Sequence, residues 1–161
     1  MRRLFLMIAL AASPQIATGQ EYAVGDIVVS RVVAKETPAA AMTGAGYLTM
    51  TNTGAESDWL IAVEADFPRV ETHDTIVEND VARMMHQDEI EIAAGETVTF
   101  APGGLHVMFM GLDGDPFEVG ETIPATLIFR NSGSLDIVFD VKTMEDITAG
   151  VGHDSTGHGS H

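Results

Sequence analysis

The chain has 161 residues, with 24 acidic side chains against 8 basic ones, a formal charge of −16 and no cysteine. So acidic a surface repels nucleic acid and anionic lipid. Without a thiol, blue-copper, iron–sulfur and zinc–thiolate sites are all excluded.

Residues 1–19, MRRLFLMIALAASPQIATG, read as an export signal: Arg2 and Arg3 lead a short apolar run, and the small residues Ala17 and Gly19 offer cleavage near residue 19. The run is too short to hold a bilayer-spanning helix, and no later segment is long enough, so no membrane insertion is expected after cleavage. Losing the signal removes two arginines and no acid, which takes the formal charge from −16 to −18. The expected product is one domain, residues 20–145, in the periplasm, followed by a flexible His-containing extension over 146–161.

The periodicity that follows is strand-like. Residues 27–33 and 47–51 are two strands, the second ended by the turn signal Asn52-Thr53-Gly54. Residues 58–65 and 69–77 are two more. Residues 89–93 and 97–101 flank Ala94-Gly95-Glu96 and predict a hairpin. The strand 105–110 comes next, after a Pro-Gly-Gly turn. Strands at 125–129 and 135–141 close the set, and residues 144–151 are expected to leave the core. Many short strands with Gly, Pro and Asn turns and no long amphipathic helix predict an all-β sandwich or barrel.

Alternation in LHVMFM, 105–110, turns Leu105, Val107 and Phe109 one way and His106, Met108 and Met110 the other. An imidazole and a thioether two residues apart can grip one ion. His73 and Met84 extend the set to the spacing H-x10-M-x21-H-x-M. Calcium and magnesium want hard oxygen ligands, zinc seldom takes a thioether, and thioether ligation is a mark of copper, above all Cu(I). Methionine is also a routine core filler and a strand histidine is often a packed side chain, so on spacing alone both readings stand.

The spacing, with EYAVGD at 21–26, AAAMTGAGYLTMTNTGAESDWL at 39–60, VETHDTIVENDVARM at 70–84 and PGGLHVMFMGL at 102–112, resembles the PCuAC family of periplasmic copper chaperones. The resemblance covers residues 21–142 and implies a cupredoxin-like β-sandwich that holds Cu(I) through His73, Met84, His106 and Met108. Met85, Met110 and His86 match no ligand position; His86 is expected to be an exposed strand-end residue. The His-Pro-Trp stretch frequent in the family is missing near Ser30-Arg31-Val32, which bears on local packing and not on the ligands.

His153, His158 and His161 stand in GHDSTGHGSH, where imidazoles on a Gly/Ser chain can wrap Cu(II), a second candidate site. The family resemblance implies a non-enzymatic role: delivery of copper for cytochrome c oxidase assembly, to a Sco-type thiol chaperone or to oxidase subunit II. A sequestering or resistance protein would carry the same ligands and differ in its partner. No nucleophile-elbow sequence and no phosphate-cradling loop argues for catalysis.

Overall fold

The computed structural model describes residues 19–151. The leader up to residue 18 and the tail histidines His153, His158 and His161 lie outside the described residues. In chain order the elements are β1 (Glu21–Val24), β2 (Ile27–Lys35), β3 (Thr43–Asn52), β4 (Asp58–Ala65), β5 (Arg69–Glu78), β6 (Val81–His86), β7 (Ile90–Ile92), β8 (Thr97–Thr99), β9 (His106–Met110), β10 (Thr122–Phe129), β11 (Gly133–Lys142) and α1 (Met144–Val151).

One hydrogen-bonded path runs β6-β5-β9-β3-β2-β11-β10-β4-β7, with β1 beside β2 and β8 beside β3. Every pairing is antiparallel except β2 with β11. The path is open, with β6 and β7 at its two ends, and the fold is cupredoxin-like. A bulge between Ser30 and Val33 helps β2 turn the corner, and Arg31 sits there at φ 56°.

The inner faces follow the period-2 pattern. Ile27 and Val29 of β2, Leu48 and Met50 of β3, Val107 and Phe109 of β9, and Ile137 and Phe139 of β11 are all buried. Phe109 is the hub of an aromatic cluster, with Phe67, Phe117 and Phe139 at centroid distances of 5.2, 5.6 and 5.4 Å. Gly46 makes room for it: a Cβ there would lie 2.8 Å from Phe139 and 3.0 Å from Phe109.

One sequence expectation is corrected and two segments are defined that the sequence left open. Residues 89–101 do not form a hairpin. A turn does form, with Glu96 N–H on Ala93 O at 2.9 Å, but β7 pairs with β4 and β8 with β3. The end of β3 forces the split, because the Asn52 carbonyl accepts from Gly95 N–H and the Asn52 N–H donates to Glu96 O, both at 2.9 Å, while the Asn52 side-chain amide donates to Ile92 O. Residues 144–151 form α1, started by a Thr143 hydroxyl that accepts from Asp146 N–H at 3.1 Å; Ile147 is buried, while Glu145, Asp146 and Thr148 are exposed. Finally, residues 81–86 form a full strand, β6, where only scattered side chains were singled out.

Candidate metal centre

Antiparallel register decides which side chains meet. His73 of β5 lies opposite His106 of β9, Glu71 opposite Met108, and Arg69 opposite Met110. On the other side of β5, Thr75 faces Met84 and His73 faces His86. Directly paired residues share a face. One outer face of β6-β5-β9-β3 therefore collects His73, Met84, His106 and Met108, together with Glu71, His86 and Met110. Met85 pairs with Asp74 and points the other way.

Met84, His106 and Met108 line one cavity of about 270 Å³, walled by Ala45, Tyr47 and Thr75. His73 stands beside it, its ring centroid 5.9 Å from that of His106. His106 is only 5% exposed, whereas Met84, on the edge strand, is 60% exposed. The site is thus built on a buried imidazole and open on its methionine flank. Burial pushes the Tyr47 phenol above its ordinary value.

The two imidazoles are set by local structure. The Pro102-Gly103-Gly104 turn, with Gly103 at φ 85°, brings the Gly104 carbonyl to His106 Nδ1 at 2.9 Å. A carbonyl only accepts, so Nδ1–H donates and Nε2 keeps its lone pair. His73 Nε2 lies 2.8 Å from Glu71 Oε2 and donates to it, which leaves Nδ1 with its lone pair. Glu71 also takes the Arg69 guanidinium. The bond from His73 is the main reason the Glu71 carboxyl sits below its ordinary value; partial burial opposes this, and Arg69 and His86 add to it.

Two buried side-chain polar atoms among the described residues have no hydrogen-bond partner, and they are these two ring nitrogens, His73 Nδ1 and His106 Nε2. A buried acceptor without a partner is costly and rare. Two of them on facing residues, each in a tautomer fixed by a bond at the opposite ring nitrogen, match the arrangement that metal-ligating histidines adopt. The donor set fits a soft monovalent ion, since two neutral nitrogens and two thioethers suit Cu(I).

His86 is the exposed strand-end residue expected, but its surroundings were not foreseen. Its ring stands 5.7 Å from that of His73, nearly perpendicular, and its Nδ1 lies 3.6 Å from Glu71 Oε2. The signal for this was present in the sequence: Met84 and His86 are two apart, the same alternation that pairs His106 with Met108. Met110 shares the face of Met108 but is not among the residues lining the cavity.

Comparison with known proteins places the chain among relatives. A family model described as “Putative lipoprotein LpqE-like” matches residues 27–141. A protein of Leifsonia xyli subsp. xyli, named “Putative lipoprotein Lxx21020”, is 32% identical over 100 residues; the match takes in 61% of this chain and 60% of that protein, so less than two thirds of the relative is spanned. The copper-bound PCuAC domain from PmoF2 superposes with a TM-score of 0.65 at 28% identity, covering 77% of this chain and 98% of that one. The apo form of the PmoF2 domain gives 0.64 at 27%, covering 77% and 95%. The solution structure of CuI-DR1885 from Deinococcus radiodurans gives 0.54 at 25%, covering 81% and 85%. No helix among the described residues is long and apolar enough to cross a membrane.

Proposed function

Starting from the fact that the chain belongs to the LpqE-like family, whose model spans residues 27–141, we propose that it is an exported copper carrier that holds Cu(I) between His73, Met84, His106 and Met108. The observation that carries this reading is the pair of buried, unpartnered ring nitrogens, His73 Nδ1 and His106 Nε2, on facing residues of β5 and β9. Copper-bound domains of the same fold support it.

In this reading the division of exposure has a purpose. The imidazoles are held from behind by Glu71 and Gly104, so the nitrogen half of the site is preorganised before the ion arrives. Met84 stands on the open edge strand, where a partner can approach. A thiolate is a stronger ligand for Cu(I) than a thioether, so an acceptor with cysteines can displace Met84 first and draw the ion out stepwise. The protein binds and hands over its cargo and catalyses no reaction on it. Delivery serves assembly of the copper centres of cytochrome c oxidase in the periplasm, through a Sco-type thiol protein or subunit II directly.

The test is an anaerobic Cu(I) titration of the full chain against a competing chelator, followed by mixing with a reduced thiol acceptor. One equivalent bound, lost with His106→Ala and weakened with Met108→Ala, supports the ligand set. Retention of the ion in the presence of excess acceptor would mark a sequestering protein instead.

A further inference from the structure

Behind the two-histidine pair lies a second set of donors. Glu71, His73 and His86 each offer a ligand atom, and these atoms lie within 4.8 Å of one another. His73 Nε2 is 2.8 Å and His86 Nδ1 3.6 Å from the same oxygen, Glu71 Oε2. Around a four-coordinate ion with bonds of roughly 2.0–2.1 Å, neighbouring ligand atoms sit about 3.3 Å apart. The observed separations bracket that value, so small side-chain adjustments would seat an ion.

The orientation of His86 adds a second reason. Its Nε2 lies 3.1 Å from Asp88 Oδ1. A carboxylate only accepts, so Nε2–H donates and the Nδ1 lone pair is turned toward the Glu71 carboxylate. With the ring neutral, a lone pair and an anionic oxygen face each other at 3.6 Å. A cation satisfies both. Asp88 fixes the imidazole from outside, as carboxylates do behind zinc-ligating histidines.

We propose that Glu71, His73 and His86 form a binding site for a borderline divalent ion, Zn(II) or Cu(II), that shares His73 with the Cu(I) site, so that the two ions are not held at once. Two nitrogens and a carboxylate oxygen, with no sulfur, suit such ions and not Cu(I). Arg69 engages the other carboxylate oxygen, Oε1, so the ion competes at Oε2 only with the His73 Nε2–H.

Exclusion follows from one ring having one proton when neutral. Cu(I) needs the His73 Nδ1 lone pair, with Nε2–H held on Glu71. The divalent ion needs the Nε2 lone pair, and the proton then resides on Nδ1. The ring stays neutral in both cases and only its tautomer changes. The exchange, though not the divalent site itself, rests on the Cu(I) reading above.

The experiment uses the full chain with His153→Ala, His158→Ala and His161→Ala, so that the tail takes no ion. Zn(II), which is redox-silent, is titrated against a chromophoric chelator, with circular dichroism to confirm folding. One equivalent is expected to bind. Glu71→Gln and His86→Ala each weaken it by about tenfold or more, the range reached even by outer-shell losses, while Met85→Ala does not. Unchanged Zn(II) binding in both variants overturns the site. One equivalent of Cu(I), added anaerobically to the zinc-loaded protein, is expected to release Zn(II). Uptake of Cu(I) with zinc retained overturns the sharing of His73. A chain that takes Zn(II) through Glu71 and His86 but no Cu(I) refutes the copper reading and leaves the divalent site standing.

Discussion

Replacing His106 by leucine separates binding from stability. In the metal-free fold His106 is 5% exposed, and its Nε2 is a buried acceptor without a partner. Such a group costs about 1–3 kcal/mol. His106→Leu removes that cost and puts an apolar side chain of similar bulk on the spot. It also removes the Nδ1–H bond to Gly104 O, a loss of roughly 0.5–1.5 kcal/mol. The Gly104 carbonyl keeps one donor, the Thr75 N–H at 3.2 Å, so no new orphan is made. The balance is a metal-free variant as stable as the parent or more stable by about 1–2 kcal/mol, a rise of a few degrees in Tm for a domain of this size. Cu(I) reverses the order. A bound ion stabilises the parent by about 2.7 kcal/mol at a free concentration one hundred times Kd, and it should leave the variant unmoved. Urea denaturation of both proteins, followed by circular dichroism with and without Cu(I), reads all four stabilities. A metal-free His106→Leu that is less stable than the parent by more than about 1 kcal/mol would refute the reasoning, since the ring would then be a satisfied core residue and not a ligand in waiting.

Met84→Ala, at an exposed edge position, should change stability by no more than about 0.5 kcal/mol, while competition titration shows Cu(I) affinity falling by about tenfold or more; Met85→Ala, on the opposite face, should alter neither. Gly46→Ala should destabilise by about 1–3 kcal/mol in urea melts, because the added methyl meets Phe139 and Phe109. Asp58 should govern part of the acid limb. Burial pushes its carboxyl up, but the Ser132 hydroxyl and the N–H groups of Asn131, Trp59 and Ser132 outweigh this and hold it below the ordinary carboxylate value. Its contribution is therefore complete above about pH 4, the unfolded value, and is lost as pH falls through the lower folded value. Asp58→Asn should be less stable at neutral pH by about 1–3 kcal/mol, and the gap to the parent should close as pH drops below about 4. A gap independent of pH would show that the charge does not matter.

The strands and the shared face of His106 and Met108 were legible because both rest on alternation, whereas His73 and Met84 joined them only through the family resemblance, since strand register and not local pattern places them. Residues 58–65 read as a strand and are one, since a half-buried strand prints its period on the sequence. His106 and Met108 sit on the face that parity assigns them. β6 was not legible as a strand, because all six of its residues are exposed and an edge strand with no buried face has no period to print. With it went the role of His86, whose neighbourhood depends on the register between β5 and β6 and not on local pattern. The false hairpin at 89–101 has a related cause: the turn chemistry is genuine, but the partners of β7 and β8 are chosen by Asn52, some forty residues earlier in the chain.

The most direct test of the copper site is X-ray absorption at the copper edge on the full chain loaded anaerobically with one equivalent of Cu(I), beside the Met84→Ala, Met108→Ala double variant. Mixed sulfur and ring-nitrogen scattering in the parent, with the sulfur contribution gone in the variant, is the expected result. A first shell of nitrogen and oxygen alone, or a sulfur signal that survives both substitutions, would contradict it.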